Sequence, residues 1–155
     1  MALTNQQRVG KALEHLREGL AGFIGREFQN KYQDRSLTEA QSRLGTDKLR
    51  GSKPIAEWDA AALLRLMWES WNDVFGQTLG HAERSLVSEL RTFRDRWAHQ
   101  ENFSSDDADR ALDSVERLLA AVAAPQSDSV RTMKLELRRL VYEEQARGEK
   151  RKVGG

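Results

Sequence analysis

Apolar residues recur every three or four positions along most of this chain. The pattern covers residues 4–32, 57–79, 83–98 and 105–124. This spacing matches the roughly 3.6-residue turn of an α-helix and does not match the alternation of a strand. Because proline breaks helices and the chain contains only two prolines, few positions interrupt the pattern. The sequence therefore predicts an all-α protein, an up-and-down bundle of four to five helices.

Two segments depart from this regular pattern. Residues 33–55 are polar and contain glycine and proline, so we expect a long loop with room for one short helix. After Pro125 the apolar residues form a narrow seam at Val130, Met133, Leu137 and Leu140, followed by a locally basic tail. This tail is either a solvated helix face or a patch that binds nucleic acid. We therefore expect a helical domain over residues 1–124 and an amphipathic, basic connector over residues 125–155.

Composition excludes several classes of protein. The chain has no cysteine, so it forms no disulfide and no thiolate metal site. No carboxylate metal cluster or cofactor motif is recognisable, and we expect neither metal nor cofactor. No stretch approaches the roughly 20 apolar residues that cross a membrane, and no secretory signal is visible, so we expect a cytoplasmic protein. Because the net charge is +1, any affinity for nucleic acid must come from local patches.

Arg94 and His99 are the residues of this chain best suited to catalysis. Arginine is permanently charged and its planar fork suits phosphate, and histidine exchanges protons near neutral pH. Together they could bind and cleave a phosphodiester. The spacing alone is weak evidence, because Arg8 and His15 also match it. That second pair lies within one continuous predicted helix, whereas a break near Ala98 lets the chain fold His99 back toward Arg94.

A structural interpretation of the same pair is also possible. Arg94 could form a surface ion pair, and His99 could cap the end of a helix, where the helix dipole favours a cation. Ser104 or Ser105, followed by acidic residues, is typical of the start of the next helix. The pair would then mark a helix boundary and carry no chemistry.

The segment from Trp58 to Ala124, which contains RTFRDRWAHQ, resembles the HEPN superfamily (higher eukaryotes and prokaryotes nucleotide-binding domain). It is most similar to the branch named for a nuclear messenger-RNA surveillance endoribonuclease. The resemblance implies a helical bundle and a homodimer that brings two Arg–His pairs into one cleft. It also implies metal-independent cleavage of RNA. In bacteria this branch lies N-terminally in helicase or ATPase proteins of phage defence, so we expect a fused or associated helicase or ATPase and further C-terminal domains.

The resemblance also suggests roles for individual residues. His99 would be the general acid or base, Arg94 would stabilise charge in the transition state, and Asp95 would orient either of them. Flanking RNA phosphates would be held by Arg91, Arg96 and Arg84. His81 and Glu83 either line the same cleft or make structural contacts. The alternative function is a non-catalytic module that dimerises or binds RNA for a partner enzyme.

Overall fold

The first helix begins where the sequence offers a strong cap. In the computed structural model, which describes residues 3–44 and 53–154, helix α1 runs from Asn5 to Tyr32. The Thr4 hydroxyl accepts a hydrogen bond from the Gln7 backbone, and the Gln7 side chain accepts one from the Thr4 backbone. This reciprocal capping box satisfies two backbone donors that have no partner within the helix.

Five further α-helices follow in the described part of the chain. They are α2 (Ser36–Arg43), α3 (Ala60–Glu69), α4 (His81–Ala98), α5 (Ser105–Ala121) and α6 (Gln126–Gly154). No strand occurs among the described residues, so the all-α prediction is confirmed. Six helices exceed the expected four to five, because α2 lies in the predicted loop and the tail is itself a helix. Residues 45–52 of that predicted loop lie outside the described residues.

The expected helix over residues 57–79 is divided. Asp59 accepts a hydrogen bond from the Ala62 backbone, and α3 begins at Ala60. Beyond Ser70 the chain continues as a π-helical segment, Trp71–Phe75. The prediction of one continuous helix was wrong. Over so short a length, α and π hydrogen bonding both place apolar residues on one side, so the apolar spacing does not distinguish the two.

The core lies around α1, which contacts each of the other five α-helices. Its inward face and the facing sides of α3, α4 and α5 supply fully buried side chains, among them Leu16, Phe28, Leu63, Leu90 and Leu112. Trp58 and Trp71 are buried, as the helical pattern predicted, and Trp68 and Trp97 are partly buried at its edge. None of the described helices is long and apolar enough to cross a membrane.

Helix α6 packs against α5 and α1. Val130 and Leu137 are buried there. Lys134 is also buried, and its ammonium bonds Asp113 at 3.1 Å and Glu116 at 2.7 Å. These contacts attach the beginning of the predicted connector to the bundle. The boundary between domain and connector near residue 125 remains a prediction.

Candidate functional site

Helix α4 presents one face to the core and one to solvent. Val87, Leu90 and Phe93 are buried. Arg94 is half-buried beside them, as the apolar pattern predicted, and Asp95 and His99 are exposed. The helix therefore holds Arg94 at the border of the core and leaves the residues of the opposite face open to solvent.

The C-terminal turn of α4 has a well-defined geometry. The Gln100 N–H donates to the Trp97 carbonyl oxygen and the Glu101 N–H donates to the Arg96 carbonyl oxygen, both at 3.0 Å. Gln100 adopts a positive φ of 58°. These two hydrogen bonds and the left-handed residue form a Schellman motif, which reverses the chain after a helix. The helix therefore ends at Ala98, close to the predicted break.

The reversal comes one residue too late to turn His99 toward Arg94. His99 still has φ −86° and ψ 8°, so its Cβ leaves the backbone close to the direction that the helix dictates. Five residues along an α-helix rotate a side chain by about 140° from its starting direction. Within the described residues, no hydrogen bond joins the two side chains. The expectation that the break folds His99 back onto Arg94 was therefore wrong.

Asp95 lies on the same side of the helix as His99. Residues four apart are neighbours on a helix surface, so Asp95 lies one turn before His99, and Arg91, which is half-buried, lies one turn before Asp95. We call these three residues the exposed face of α4. Among the described residues, none makes a side-chain hydrogen bond or ion pair with them or with Arg94. The face therefore offers a cation, a carboxylate and an imidazole that are unpaired within one chain, and Arg94 is a second unpaired cation at the border of the core.

Arg96 lies on a different side and is paired. Its guanidinium bonds Glu101 at 2.8 Å and Asp107 at 3.0 Å, and it lies over the Phe103 ring, 4.8 Å from the centroid. The hydrogen bond from Arg96 lowers the pKa of Asp107. Since Asp107 belongs to the first turn of α5, Arg96 ties the end of α4 to the start of α5. Sequence reasoning missed this role, although both carboxylates lie close by in the chain.

The expected start of α5 is confirmed. The Ser104 hydroxyl accepts a hydrogen bond from the Asp107 backbone at 3.0 Å, and the helix begins at Ser105. The turn that follows His99 is thus held at both ends: by the Schellman motif on α4 and by this cap on α5.

His81, Glu83 and Arg84 lie at the opposite end of α4. His81 is the first residue of the helix. It lies about 27 Å from His99, because the two are eighteen residues apart along the helix. The Arg84 guanidinium stacks on the Trp68 ring at 4.3 Å from the centroid. A separate cavity of about 380 Å³ lies at this end of the helix. It is lined by Trp68, His81, Arg84, Ser85, Ser88, Glu89 and Thr92. The structure therefore does not bring them together with Arg94 and His99.

A larger cavity is lined by the residues that come before and after His99 in the chain. It has a volume of about 670 Å³ and lies between the first turns of α1 and the end of α4, with Trp97, Ala98, Gln100 and Asn102 on the α4 side. Sequence reasoning missed it, because it joins segments about ninety residues apart, as in the 3.0 Å bond from the Gln6 amide to the Trp97 carbonyl. The competing pair Arg8 and His15 lies within continuous α1.

Comparison with known proteins gives one match. No curated protein and no solved structure matched the chain. The family model described as Swt1-like HEPN matches residues 11–123, which extend from the second turn of α1 to the turn after α5. The match covers most of the bundle and includes α4 and the turn after it. The chain therefore belongs to the Swt1-like HEPN family.

Proposed function

We propose that this chain is a metal-independent endoribonuclease module, which cleaves RNA with Arg94 and His99 in a cleft between two copies of the chain. Membership of the HEPN family supports an RNA-directed function. The unpaired groups on the exposed face of α4, with Arg94 beside it, are the observation that assigns this function to particular residues. Those groups combine a proton carrier with cations, which is what cleavage of a phosphodiester requires.

RNA supplies its own nucleophile, the 2′-hydroxyl next to the scissile phosphate. One His99 takes the proton from this hydroxyl, and a second protonated His99 gives a proton to the departing 5′-oxygen. The 2′-oxygen–phosphorus bond forms as the phosphorus–5′-oxygen bond breaks, which leaves a 2′,3′-cyclic phosphate. Positioned acid and base groups of this kind typically accelerate a reaction by about 10²–10⁴-fold.

Arg94 stabilises the additional negative charge on the phosphorus oxygens in the transition state. A cation does so most effectively when it is already held in place, and Arg94 is half-buried beside the core. Asp95, one turn before His99, orients the imidazole and stabilises its protonated form. Arg91 binds a neighbouring phosphate.

The need for two chains follows from the geometry of one. His99 and Arg94 leave α4 about 140° apart, and the other histidine of this helix, His81, is about 27 Å away. One chain therefore offers a single histidine at this site, whereas the reaction uses an acid and a base. A two-fold axis beside the exposed face of α4 would supply the second.

The alternative is a binding or dimerisation module without catalysis. Arg91 and Arg94 have no ion-pair partner among the described residues, and free cations of this kind bind RNA phosphates without cleaving them. In either case we propose a cytoplasmic module that is fused to or associated with a helicase or ATPase of a phage-defence system, and the family resemblance supports the helicase or ATPase.

Cleavage of single-stranded RNA in EDTA tests the proposal. Wild-type protein should cut RNA and leave DNA of the same sequence intact, because DNA lacks the 2′-hydroxyl. His99→Ala should lose the activity, and His81→Ala, which removes the exposed histidine at the far end of the same helix, should retain it. Cut ends that carry a 5′-phosphate and appear only with added magnesium would contradict the mechanism. Intact RNA that is nevertheless retarded on a gel would favour the binding module.

Coexpression with the inactive chain tests the shared cleft. If each cleft needs two His99 residues, equal amounts of wild-type and His99→Ala chains give about one active dimer in four, because random pairing yields two wild-type chains that often. Independent sites would instead keep half of the activity. Light scattering should also show a dimer at tens of micromolar.

A further inference from the structure

The cavity of about 670 Å³ is lined by residues that are neighbours of His99 in the chain. Trp97 and Ala98 come immediately before His99, Gln100 follows it directly, and Asn102 lies two residues further on; all four line the cavity. Its opposite wall is formed by the first turns of α1. His99 is not one of the lining residues, but its neighbours on both sides in the chain are, so an occupant of the cavity lies close to the proposed catalytic residue.

One wall of the cavity is an indole held in place by α1. A Cβ atom at Gly10 would lie only 2.8 Å from the Trp97 Nε1 atom, so glycine allows α1 to approach the ring closely. The Gln6 side chain donates to the Trp97 carbonyl oxygen at 3.0 Å. Trp97 is partly buried and packs against the core. The ring is thus held between Gly10 and the core, Gln6 holds its backbone, and the residue still lines the cavity.

Four carboxamides, those of Gln6, Gln7, Gln100 and Asn102, line the cavity beside Leu3, Ala98 and the Glu14 carboxylate, which accepts hydrogen bonds from Arg17. Gln100 and Asn102 are exposed, and neither makes a side-chain hydrogen bond with any described residue. The Gln6 Oε1 atom is buried, and no described group donates to it. Each carboxamide both donates and accepts hydrogen bonds. Lys11, at the rim, is an exposed cation with no ion-pair partner in the described part of the chain.

An aromatic wall, free carboxamides and one cation match the chemistry of a nucleotide. Proteins that bind single-stranded RNA stack splayed bases on aromatic rings and hydrogen-bond to the base edges. Small-molecule pockets typically measure about 300–1,000 Å³, so this cavity has room for one base with its ribose. We infer that it binds the unstacked nucleobase of the nucleotide next to the scissile phosphate, with Trp97 as the stacking surface and Gln100 and Asn102 as the groups that read the base edge. This inference rests on the proposed ribonuclease function.

The double variant Gln100→Gly, Asn102→Ala removes both carboxamides without straining the turn. Gln100 has a φ of 58°, a conformation that glycine adopts freely, so the variant should fold. Gln33→Gly is the matched control, because Gln33 is an exposed glutamine with a φ of 51° at the end of α1, outside the cavity.

The probes are a single-stranded RNA with a 2′-deoxy residue at the mapped cleavage position and the same RNA without the neighbouring base. Wild-type protein should bind the complete RNA about tenfold or more tightly than the abasic one, in line with the energy of base stacking. The double variant keeps the Trp97 ring and its stacking, so it should reduce this difference about threefold through the lost hydrogen bonds to the base edge, and Gln33→Gly should keep the full difference. Equal affinity of wild-type protein for the two RNAs would overturn the inference, even if cleavage in EDTA is observed.

Nucleoside 3′-monophosphates give a measurement that does not depend on cleavage. They should shift the Trp97 indole resonance in nuclear magnetic resonance spectra, whereas ribose 5-phosphate, which has no base, should not. A base-dependent shift in a protein that never cleaves RNA would support the cavity and contradict the proposed function. If the double variant instead changes only the oligomeric state, a second copy of the chain occupies the cavity and the inference is wrong.

Discussion

Arg96 and Arg91 should respond in opposite ways to replacement by alanine, although both are arginines near the same end of α4. Arg96 bonds two carboxylates, those of Glu101 and Asp107, at 2.8 and 3.0 Å. Its charge is thus already neutralised within the chain. Arg91 has no ion-pair partner among the described residues and lies one turn before Asp95. Only Arg91 is free to neutralise an RNA phosphate.

The expected magnitudes follow from this difference. Each phosphate contact on single-stranded nucleic acid contributes about 0.7 to the slope of log affinity against log salt, so Arg91→Ala should reduce the slope by about 0.7. Arg96→Ala should leave the slope unchanged. It loses its contact with the Phe103 ring, which is worth about 0.5–1 kcal/mol, and a loss of about 1 kcal/mol lowers Tm by roughly 2–4 °C in a chain of this size.

Two measurements on the same proteins check this prediction. Binding of a single-stranded RNA is measured between 50 and 200 mM salt (about the range in which counterion release dominates), with His99→Ala in every protein so that the RNA stays intact. Thermal unfolding is followed by circular dichroism. A reduced slope and an unchanged Tm for Arg96→Ala would refute the reasoning and return Arg96 to the RNA-binding role that the sequence suggested.

Four further substitutions test the packing, the ion pairs and the turn. Gly19→Ala would place a Cβ 2.4 Å from a leucine methyl group of α5, whereas Gly25→Ala meets nothing within 4 Å; urea unfolding should show a loss of roughly 1 kcal/mol for the first and a gain of up to about 1 kcal/mol for the second. Hydrogen bonding from Arg110 lowers the pKa of Glu89, so its contribution to stability is present above about pH 4.3 and is lost as the pH falls through the lowered pKa. Glu89→Gln should therefore destabilise at pH 7, and this loss should shrink as the pH falls through the lowered pKa. Gln100→Gly should raise Tm, because glycine adopts the positive φ without strain.

Local signals in the sequence were enough to predict the helices and several of their ends. The apolar spacing located α1, α4 and α5, and the Ser104 cap predicted the start of α5, because these features depend on residues only a few positions apart. The spacing also placed Arg94 at the border of the core. It could not locate the reversal of the chain to within one residue, because the left-handed turn is at Gln100, a residue type that does not signal this conformation.

The features that sequence reasoning missed depend on contacts between distant segments. The cavity beside His99 requires Gly10 of α1 to lie against Trp97 of α4, and no periodicity along the chain encodes that approach. Arg96 looked like a free cation because its ion-pair partners Glu101 and Asp107, although close in the chain, reach it only when the turn after α4 is formed. Ion-pair partners across a turn depend on the tertiary structure and cannot be assigned from a count of charges.

The one-residue difference in the position of the turn changes how the site must be assembled. If the chain reversed before His99, Arg94 and His99 of one chain could meet, and a monomer would hold a complete Arg–His pair. Since it reverses at Gln100, the two side chains leave α4 about 140° apart, and the exposed face carries its groups without an opposite wall. A second copy related by two-fold symmetry would supply that wall and the second histidine together. On this argument dimerisation is a condition for catalysis, and a variant that stays monomeric should keep its fold and lose RNA cleavage.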